Sequence, residues 1–429
     1  MPSAQMNVLL LCSVPPASAG TTHDHVDALR RHSAHRVMCF PYLGEGADRL
    51  PRDLELDRFD AIVIHYSVYL LADRHLGPAD RERIAAFPGV KLLFLQDEYR
   101  QIDRVTALIA GLGIDVLFTC VPGPEVGKVY PPDRLPALTV ISNLTGYVSA
   151  AQLGMRVARI AQRPVDVGYR ARVPPFWLGR LSAEKWQIAT RFLEAVQGTG
   201  LKCDISQREE DRIYGKRWPQ FVSSCKAMLG VESGASVFDF DGSIQRDVEA
   251  FMAENPQAGF EEVESRFLRA HEGRIRLNQI SPRCFEAAAL RTAMVLYEGE
   301  YSGILKPWRH YVPLCKDFSN IDEVVAAIKD ERKLQEIADR AYEEIALNPQ
   351  WSYEAFAGRF DAALQAAQAA KGRSVERPIS GAAFALASLP AAIFSFLLHA
   401  WLSIPEGVRG RLKPLLQPLI SGLTRPGPR

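Results

Sequence analysis

The amino-acid sequence predicts an α/β fold with two doubly wound domains, one further helix and an apolar C-terminal tail. Three observations support this prediction. The chain has 429 residues and is 47% hydrophobic, which is globular composition and enough length for two or three domains. Apolar β-rich runs alternate with helical stretches through the first third of the chain. A second alternation of the same kind begins after a break at residues 143–165.

Five runs in the first third predict parallel strands that are buried on both faces, because each run is continuously apolar. They lie at residues 7–12, 35–40, 59–66, 90–96 and 114–120. Stretches with helical spacing separate them. Strand–helix alternation of this kind is typical of a doubly wound domain, in which ligand groups follow the carboxyl ends of the strands.

The second alternation contains another set of candidate strands. They lie at residues 165–172, 201–206, 225–231, 274–280 and 293–299. A helical stretch then remains after the second domain should be complete. We therefore predict a first domain at residues 1–150, a second domain at 160–345, a helix at 346–371 and a tail at 372–429.

Composition excludes several classes of function. The chain has 51 Lys and Arg residues against 50 Asp and Glu residues, so its formal charge of +1 predicts no nucleic-acid partner. Seven scattered Cys residues without a CxxC pair predict reduced thiols and no zinc site. The N-terminal apolar run is too short for a secretory signal and lacks a basic flank. We expect a cytoplasmic protein with no metal and no cofactor.

The stretch SPRCFEAAAL at residues 281–290 predicts an anion site at the start of a helix. Free backbone N–H groups and the positive end of the helix dipole favour an anion there. Arg283 adds a fork of donors that suits phosphate. Glu286 lies one turn further on, where a carboxylate can accept hydrogen bonds from a ribose diol. The alternative is an ordinary helix start with a surface Arg and a dipole-complementing Glu.

Two stretches from residue 283 onward resemble segments of known enzyme families. RCFEAAALRTAMVLYEGEYSG, at residues 283–303, resembles the nucleotide-sugar segment of group 1-type glycosyltransferases with the GT-B fold, in the subgroup written R-x-F-E-A-x-A. The continuation YSGILKPWRHYVPLCKDFSNIDEV resembles capsule-associated and KTELC-type O-glycosyltransferases, whose pattern includes L-x-P-W-x-H-Y-V-P. This resemblance implies two Rossmann-like domains facing a cleft, a C-terminal helix crossing back onto the first domain, and a metal-independent enzyme.

The resemblance also implies roles for particular residues. Glu286 falls at the ribose-binding acid, and Arg283 falls at the phosphate-binding Arg. His310 and Tyr311 belong to the second pattern, and we place them with the donor-binding residues. Asn278 stands where many retaining members carry an acid. Asn can bond a sugar hydroxyl but carries no charge, so a retaining mechanism of that subgroup is in doubt.

A second phosphate candidate is the stretch VGYRARVPPFWLGRLSAEK. Arg170 and Arg172 close a predicted strand, and Lys185 opens the next helix. The stretch also resembles the family's G-R-L-x-x-x-K element, in which Arg180 would compete for the diphosphate. The alternative is a solvated basic loop.

The stretch LGVESGASVFDFDGS adds a Gly-rich loop with acids. Glu232 could meet the sugar or the base of a donor, because the neighbouring Gly lets the backbone approach closely. Asp239 and Asp241 suggest weak metal binding, but turn-forming Asp residues are the favoured interpretation.

Three groups in the first domain are candidates for a catalytic base. His23, Asp24 and His25 follow the first strand, and a His oriented by an acid can take a proton from an acceptor hydroxyl. The alternative is a polar helix start. Asp97 and Glu98 end another strand and are rival acids; a third group, at His65, lies at the same edge. His25 is the first choice.

The tail has a different character. Residues 380–405 contain no Asp, Glu, Lys or Arg, and about 20 apolar residues suffice to span a bilayer. Arg409, Arg411 and Lys413 follow this run. Pro390 and His399 weaken the case for a span. The run is therefore either a membrane-interface or spanning segment, or a helix packed on the protein. An interface segment would make the protein peripheral on the inner face of the membrane.

These observations predict a GT-B glycosyltransferase that moves a sugar from a nucleotide-diphosphate sugar to an envelope, lipid-linked or other glycan acceptor. The rival prediction is a non-catalytic GT-B-like subunit that binds a nucleotide or glycan within an envelope assembly. Asn278, which replaces an acid, is the best sequence support for the rival.

Overall fold

The computed structural model describes residues 5–15, 18–42, 49–73, 75–373, 375–404 and 409. Most of the basic flank of the tail, including Arg411 and Lys413, lies outside the described residues, as does the His399 side chain.

The first domain contains a six-stranded sheet whose paired strands are all parallel, in the order β2-β1-β3-β4-β5-β6. Its strands are β1 (Asn7–Cys12), β2 (Arg36–Pro41), β3 (Ala61–Ile64), β4 (Val90–Phe94), β5 (Val116–Thr119) and β6 (Thr139–Ser142). The helices around it are α1 (Gly20–His32), α2 (Pro78–Ala86), α3 (Ile102–Leu112) and α4 (Gly123–Val129), and α5 (Ala150–Leu153) follows the sheet. The strand order reverses at β1, so the crevice beyond β1 and β3 is a ligand position.

The second domain contains a five-stranded parallel sheet in the order β11-β10-β9-β7-β8. Its strands are β7 (Val165–Arg170), β8 (Cys203–Ser206), β9 (Cys225–Gly230), β10 (Ala293–Tyr297) and β11 (Val312–Leu314). Its helices are α6 (Arg180–Ala195), α7 (Arg217–Ser224), α8 (Ser243–Glu254), α9 (Phe260–Val263), α10 (Pro282–Ala289), α11 (Ile321–Lys329) and α12 (Glu331–Ala341). The order reverses between β7 and β9, which marks the crevice of this domain.

The strand predicted at residues 274–280 is wrong. This stretch is irregular and makes only an isolated antiparallel bridge, between Ser233 and Gln279. Its apolar residues Ile275 and Leu277 pack into the core of the first domain instead of into the second sheet. The alternating apolar residues that predict a strand here instead make contact between the two domains.

A C-terminal helix crosses back onto the first domain, as expected. This helix, α13 (Tyr353–Lys371), begins where the Ser352 side chain accepts a hydrogen bond from the Ala355 N–H. Phe356 and Phe360 are fully buried against β4 and β5, in the cluster that contains Phe94. Burial of these aromatic rings fixes the helix on the first domain.

The two domains also meet on either side of a cleft. On one side the Asp239 N–H donates to the Tyr99 carbonyl (2.8 Å), and on the other the Thr145 hydroxyl donates to the Ile280 carbonyl (2.6 Å). The Asp239 carboxylate accepts from the Gln245 N–H at 3.0 Å, at the start of α8. Asp239 is thus a turn-forming residue.

The last described helix, α14 (Gly381–Ser403), lies against the outer edge of the first domain. The ring of Phe384 packs edge-on to the ring of Phe59, with centroids 6.1 Å apart. By length and composition, α14 is the one helix among the described residues that could cross a membrane.

Candidate functional site

Three cations of the second domain lie near one another at the cleft. Arg172 follows β7, Lys185 lies in the second turn of α6, and Arg283 lies in the first turn of α10. Burial lowers the pKa of Lys185, and the charges of Arg283 and Arg172 lower it further, against the opposite effect of Asp97. Among the described residues, no carboxylate oxygen lies within 4.0 Å of these three side chains. The result is a cluster of three cations without an ion-pair partner among the described residues, which favours a multiply charged anion.

Aromatic rings hold Arg283 in place. Its guanidinium carbon lies 5.3 Å from the centroid of Trp218 and 5.7 Å from that of Tyr169. Tyr169 in turn donates its hydroxyl to the Lys185 carbonyl at 3.0 Å. The two rings restrict the guanidinium, and its N–H groups have no hydrogen-bond partner among the described residues, which is the arrangement that suits phosphate.

Glu286 lies beside this cluster on α10. Trp218 donates its indole N–H to Oε2 of Glu286 at 2.8 Å. Burial raises the pKa of Glu286, whereas the Trp218 hydrogen bond, the Arg283 charge and a Gln152 hydrogen bond lower it. The carboxylate is thus oriented by two side-chain donors and one cation at the edge of the cleft.

Asp24 faces this group from the first domain, on α1. Burial and, after it, the negative charges of Glu286 and Asp27 raise the pKa of Asp24 to about 6, against the opposite effect of a Ser149 hydrogen bond. A carboxyl group that titrates near neutral pH can accept a proton from a substrate hydroxyl. Asp24 is therefore the first-domain acid whose environment best fits a proton acceptor.

His25 lies in the core, and its expected position at the cleft edge is wrong. It is 1% exposed, and its ring centroid lies 4.2 Å from that of Phe356 and 5.0 Å from that of Phe94. Its Nδ1 is 3.0 Å from Nε2 of the equally buried His65. Burial lowers the pKa of His25 to about 3. The apolar stripe of α1 turns this side chain inward, so the geometry gives no support to its role as a base.

Asp97 and Glu98 are neighbours with different surroundings. Asp97 has a left-handed backbone (φ 56°), accepts the Tyr99 hydroxyl at 2.8 Å and raises the pKa of Lys185, so its charge acts on the cation cluster. Glu98 is 6% exposed and points into the first domain.

Glu98 is fully engaged within its domain. It accepts the Tyr130 hydroxyl at 2.5 Å, the Cys120 N–H at 2.7 Å and the Thr119 hydroxyl. Burial raises the pKa of Glu98 to about 7 in spite of these donors. Its carboxylate stabilises the loop after β5, and it does not join the cations.

Glu232 and Asn278 contact each other within the second domain. The Asn278 amide donates to Glu232 Oε2 at 2.7 Å, and the Tyr301 N–H donates to Oε1 at 2.7 Å. Glu232 is 3% exposed. Both of its oxygens therefore hold neighbouring segments of the second domain, and the geometry gives no support to donor binding by this pair.

The predicted donor residue at the end of β7, Arg170, is also occupied elsewhere. Its guanidinium donates to the Asp204 carboxylate at 2.7 Å and to the Asp211 carbonyl at 3.1 Å. Arg180, its rival, pairs with Glu264. Neither Arg joins the cluster of Arg172, Lys185 and Arg283.

His310 and Tyr311 are buried inside the second domain. His310 is 3% exposed, accepts the Lys306 N–H at 3.2 Å and lies 2.9 Å from a Glu344 oxygen. Tyr311 is 1% exposed and packs against Tyr301. His310 and Tyr311 thus stabilise the connection into β11, and their burial gives no support to donor binding by either residue.

Sequence reasoning missed two of the residues that shape the site. Trp218 touches both Arg283 and Glu286, and Gln152 bonds Glu286. They lie in α7 and α5, far from α10 in the chain, and neither belongs to a recognisable motif. Asp24 is one of the candidates from the sequence, where His25 is the first choice. The inward position of His25 has a sequence signal, because His25, Ala28 and Leu29, the buried residues of α1, stand at helical spacing.

Comparison with protein-family models and with curated protein sequences finds no match. Solved structures do match. One is an alpha-glucosyltransferase in complex with UDP and a 13-mer DNA containing a HMU base, with a TM-score of 0.52 and 10% identity over 84% of this chain and 99% of that one. Another is an alpha-glucosyltransferase in complex with UDP-glucose and DNA containing an abasic site, with a TM-score of 0.51, 11% identity and the same coverage.

These likenesses concern the fold. Two parallel-sheet α/β domains, a cleft between them and a C-terminal helix that returns to the first domain define the GT-B fold. The chain has this fold, as its sequence predicts. The finer resemblance to KTELC-type enzymes stays a prediction.

Proposed function

We propose that this protein is a glycosyltransferase that moves a sugar from a nucleotide-diphosphate sugar to a glycan or lipid-linked acceptor. The observation that carries the proposal is the cluster of Arg172, Lys185 and Arg283, which has no carboxylate partner among the described residues and lies in the cleft of a GT-B fold. The leaving diphosphate is the largest electrostatic demand of sugar transfer, and preorganised cations meet it without reorganisation. The transfer therefore needs no divalent metal.

The donor sits with its diphosphate on Arg283 and Lys185 and its ribose at Glu286. Trp218 and Gln152 donate to the Glu286 carboxylate, and the acceptor positions that remain on its two oxygens bind a ribose hydroxyl. UDP is the first nucleotide to test, because the structurally similar alpha-glucosyltransferases were solved with UDP and with UDP-glucose.

Asp24 is the base in this proposal. The acceptor hydroxyl oxygen forms a bond to the anomeric carbon while its proton passes to the Asp24 carboxylate. The bond between the anomeric carbon and the diphosphate oxygen breaks, and the electron pair leaves with the nucleotide diphosphate. A pKa of about 6 for Asp24 leaves this group ionised at neutral pH yet basic enough to take a proton.

The acceptor is proposed to belong to the cell envelope, with the protein in the cytoplasm on the inner face of the membrane. The support is the uncharged run at residues 380–405 and the basic residues after it. The DNA in the similar structures makes nucleic acid a control acceptor in any activity assay. The formal charge of +1 disfavours DNA, because DNA binding depends mainly on neutralising phosphates.

A thermal-shift screen against UDP, GDP, dTDP, CMP and their sugars tests the donor assignment. One nucleotide should raise the unfolding temperature of the parent, since a ligand that binds only the folded state stabilises it. Glu286→Ala should abolish the rise, whereas Arg332→Ala, at a side chain that is 79% exposed on α12, should keep it.

Two outcomes contradict the proposal. If none of the nucleotides raises the unfolding temperature, the proposed donor site is wrong. A specific rise without transfer or hydrolysis of the sugar would favour the rival, a non-catalytic nucleotide-binding subunit. Equal shifts in the parent and in Glu286→Ala would refute only the ribose assignment.

A further inference from the structure

The helix α14 has its polar and apolar sides reversed. The side chains that face the protein include its two buried serines, Ser388 and Ser395, and Ser388 bonds to the Phe384 carbonyl at 2.7 Å. The outward side chains are Ala382, Ala385, Leu386, Leu389, Pro390, Ala392, Ile393, Phe396, Leu397 and Ala400. A surface helix in water normally points its polar face outward. Among the side chains of α14 that the structure describes, every exposed one is apolar.

The large outward side chains form one stripe. Leu386 is 73% exposed, Phe396 70% and Ile393 50%, and Leu389 and Leu397 belong to the same stripe. Their spacing of three, four and seven residues places them on one side of the helix, opposite Phe384, Ser388, Ala391 and Ser395. A continuous apolar surface of this kind marks a contact with another apolar phase.

The inward side of α14 packs on the first domain through the first half of the helix. Phe384, Ala387 and Ala391 pack on the core of the first domain, and the Arg36 guanidinium donates to the Ile379 carbonyl at 3.4 Å just before the helix. A helix that spans a bilayer is exposed to lipid or to other membrane-embedded protein over its whole depth. The docked helix therefore suits the plane of a membrane surface rather than a passage through it.

We infer that α14 is an in-plane membrane anchor whose stripe (Leu386, Leu389, Ile393, Phe396 and Leu397) enters the boundary between lipid headgroups and acyl chains. With 23 residues the helix is roughly 35 Å long, so the stripe gives a long, shallow contact. The inference deepens the proposed membrane association and is independent of sugar transfer.

Charge selects lipid over a second copy of the chain as the occupant. After Ser380 the sequence contains five basic residues, Arg409, Arg411, Lys413, Arg425 and Arg429, and one acid, Glu406. Anionic headgroups neutralise such a basic segment, whereas the same segment of a second copy supplies no excess of opposite charge. The surface therefore fits a bilayer that contains anionic lipid.

Flotation of the full chain with vesicles tests this inference. The parent should float with phosphatidylcholine vesicles and more strongly when phosphatidylglycerol is included, and alkaline carbonate should release it. The double variant Leu386→Glu/Phe396→Glu should lose at least about tenfold in vesicle binding, because each change replaces a large apolar side chain of the lipid contact by a charge. Leu347→Glu, at a 52% exposed Leu in the second domain, is the matched control and should float like the parent.

Three results would overturn it. Equal flotation of the double variant and the parent would show that the stripe is not the contact. Resistance to carbonate extraction would mean that the helix crosses the bilayer. The third result is a parent that does not bind vesicles but is a dimer in light-scattering measurements, while the double variant is a monomer. That result would assign the stripe to contact with a second copy of the chain.

The same variants report on the proposed function separately. Each should keep the nucleotide-induced thermal shift of the parent, because α14 packs on the outer edge of the first domain. A variant that does not float but keeps the thermal shift reports on the anchor alone. A thermal shift that is absent from every protein, the parent included, counts against the donor site alone.

Discussion

Arg170 and Arg172 stand two residues apart at the end of the same strand, yet their surroundings are opposite. Arg170 is engaged by Asp204 and by backbone carbonyls around β8. Arg172 is exposed and has no carboxylate partner among the described residues, and its charge acts on Lys185. A cation that already has its partners stabilises the fold, and one without them is available for a ligand.

Asp24 and Glu98 repeat this contrast among the acids of the first domain. Burial raises the pKa of both, to about 6 and about 7. Three donors of the first domain hold Glu98, whereas Asp24 lies across from Glu286 and bonds only to Ser149 among the groups that shift its pKa. A shifted pKa therefore identifies a functional group only when the group also faces the cleft.

The largest expected effect is on turnover, and it tests whether Asp24 and Glu98 differ in function. Asp24→Asn should reduce turnover roughly 10²–10⁴-fold, because the variant cannot accept the proton of the acceptor hydroxyl. Binding of the nucleotide sugar should stay near that of the parent. Steady-state kinetics together with calorimetric titration of the donor measure both quantities.

The pH profile sharpens the same test. Asp24 must be ionised to act, so kcat/KM of the parent should rise with pH through a midpoint at about 6. Glu98→Gln should keep this midpoint, since Glu98 does not face the cleft. A rising limb that survives in Asp24→Asn, or that moves in Glu98→Gln, would assign the base elsewhere.

The next effect concerns the cations. Arg283→Ala should weaken donor binding about tenfold to a hundredfold, since a hydrogen bond to a charged group contributes about 1.5–3 kcal/mol. Arg332→Ala is the matched control and should bind like the parent. Unchanged affinity of Arg283→Ala in calorimetric titration would remove Arg283 from the diphosphate site.

Much of the fold could be predicted because buried parallel strands are continuously apolar. The prediction at residues 7–12 coincides with β1, and those near β3, β4 and β10 differ from the observed strands by a few residues at their ends. β6 could not be found this way, since its residues are half-exposed or exposed. The error at residues 274–280 arose because contact between domains produces the same alternation as a strand.

The site was predictable only where a motif begins a helix. Arg283, Glu286 and Lys185 were found because they lie in the first two turns of helices that follow strands or loops at the cleft. The choice between Asp24 and His25 depended on the rotation of α1 about its axis, which Ala28 and Leu29 determine by packing inward. Partners such as Trp218 come from distant segments and left no local signal.

A smaller effect concerns the partnered cation. Arg170→Ala should lower the stability of the second domain by about 1–3 kcal/mol, because the change removes hydrogen bonds to Asp204 and to buried carbonyls. Donor affinity at a temperature where the variant is folded should not change. Thermal unfolding and calorimetric titration separate the two quantities, and a loss of affinity without a loss of stability would place Arg170 at the diphosphate after all.

The smallest expected effect on the donor is at Asn278. Asn278→Ala removes one donor to the Glu232 carboxylate, while the Tyr301 and Glu300 N–H groups still hold Glu232 Oε1. Stability should fall by about 1 kcal/mol, and donor affinity should stay within about twofold of the parent. A clear loss of affinity for the nucleotide sugar, but not for the free nucleotide, would show that Asn278 contacts the sugar, as its position in the resemblance implies. That outcome would join the Glu232–Asn278 pair to the cation cluster as one site, because the pair would then hold the sugar whose diphosphate the cations bind.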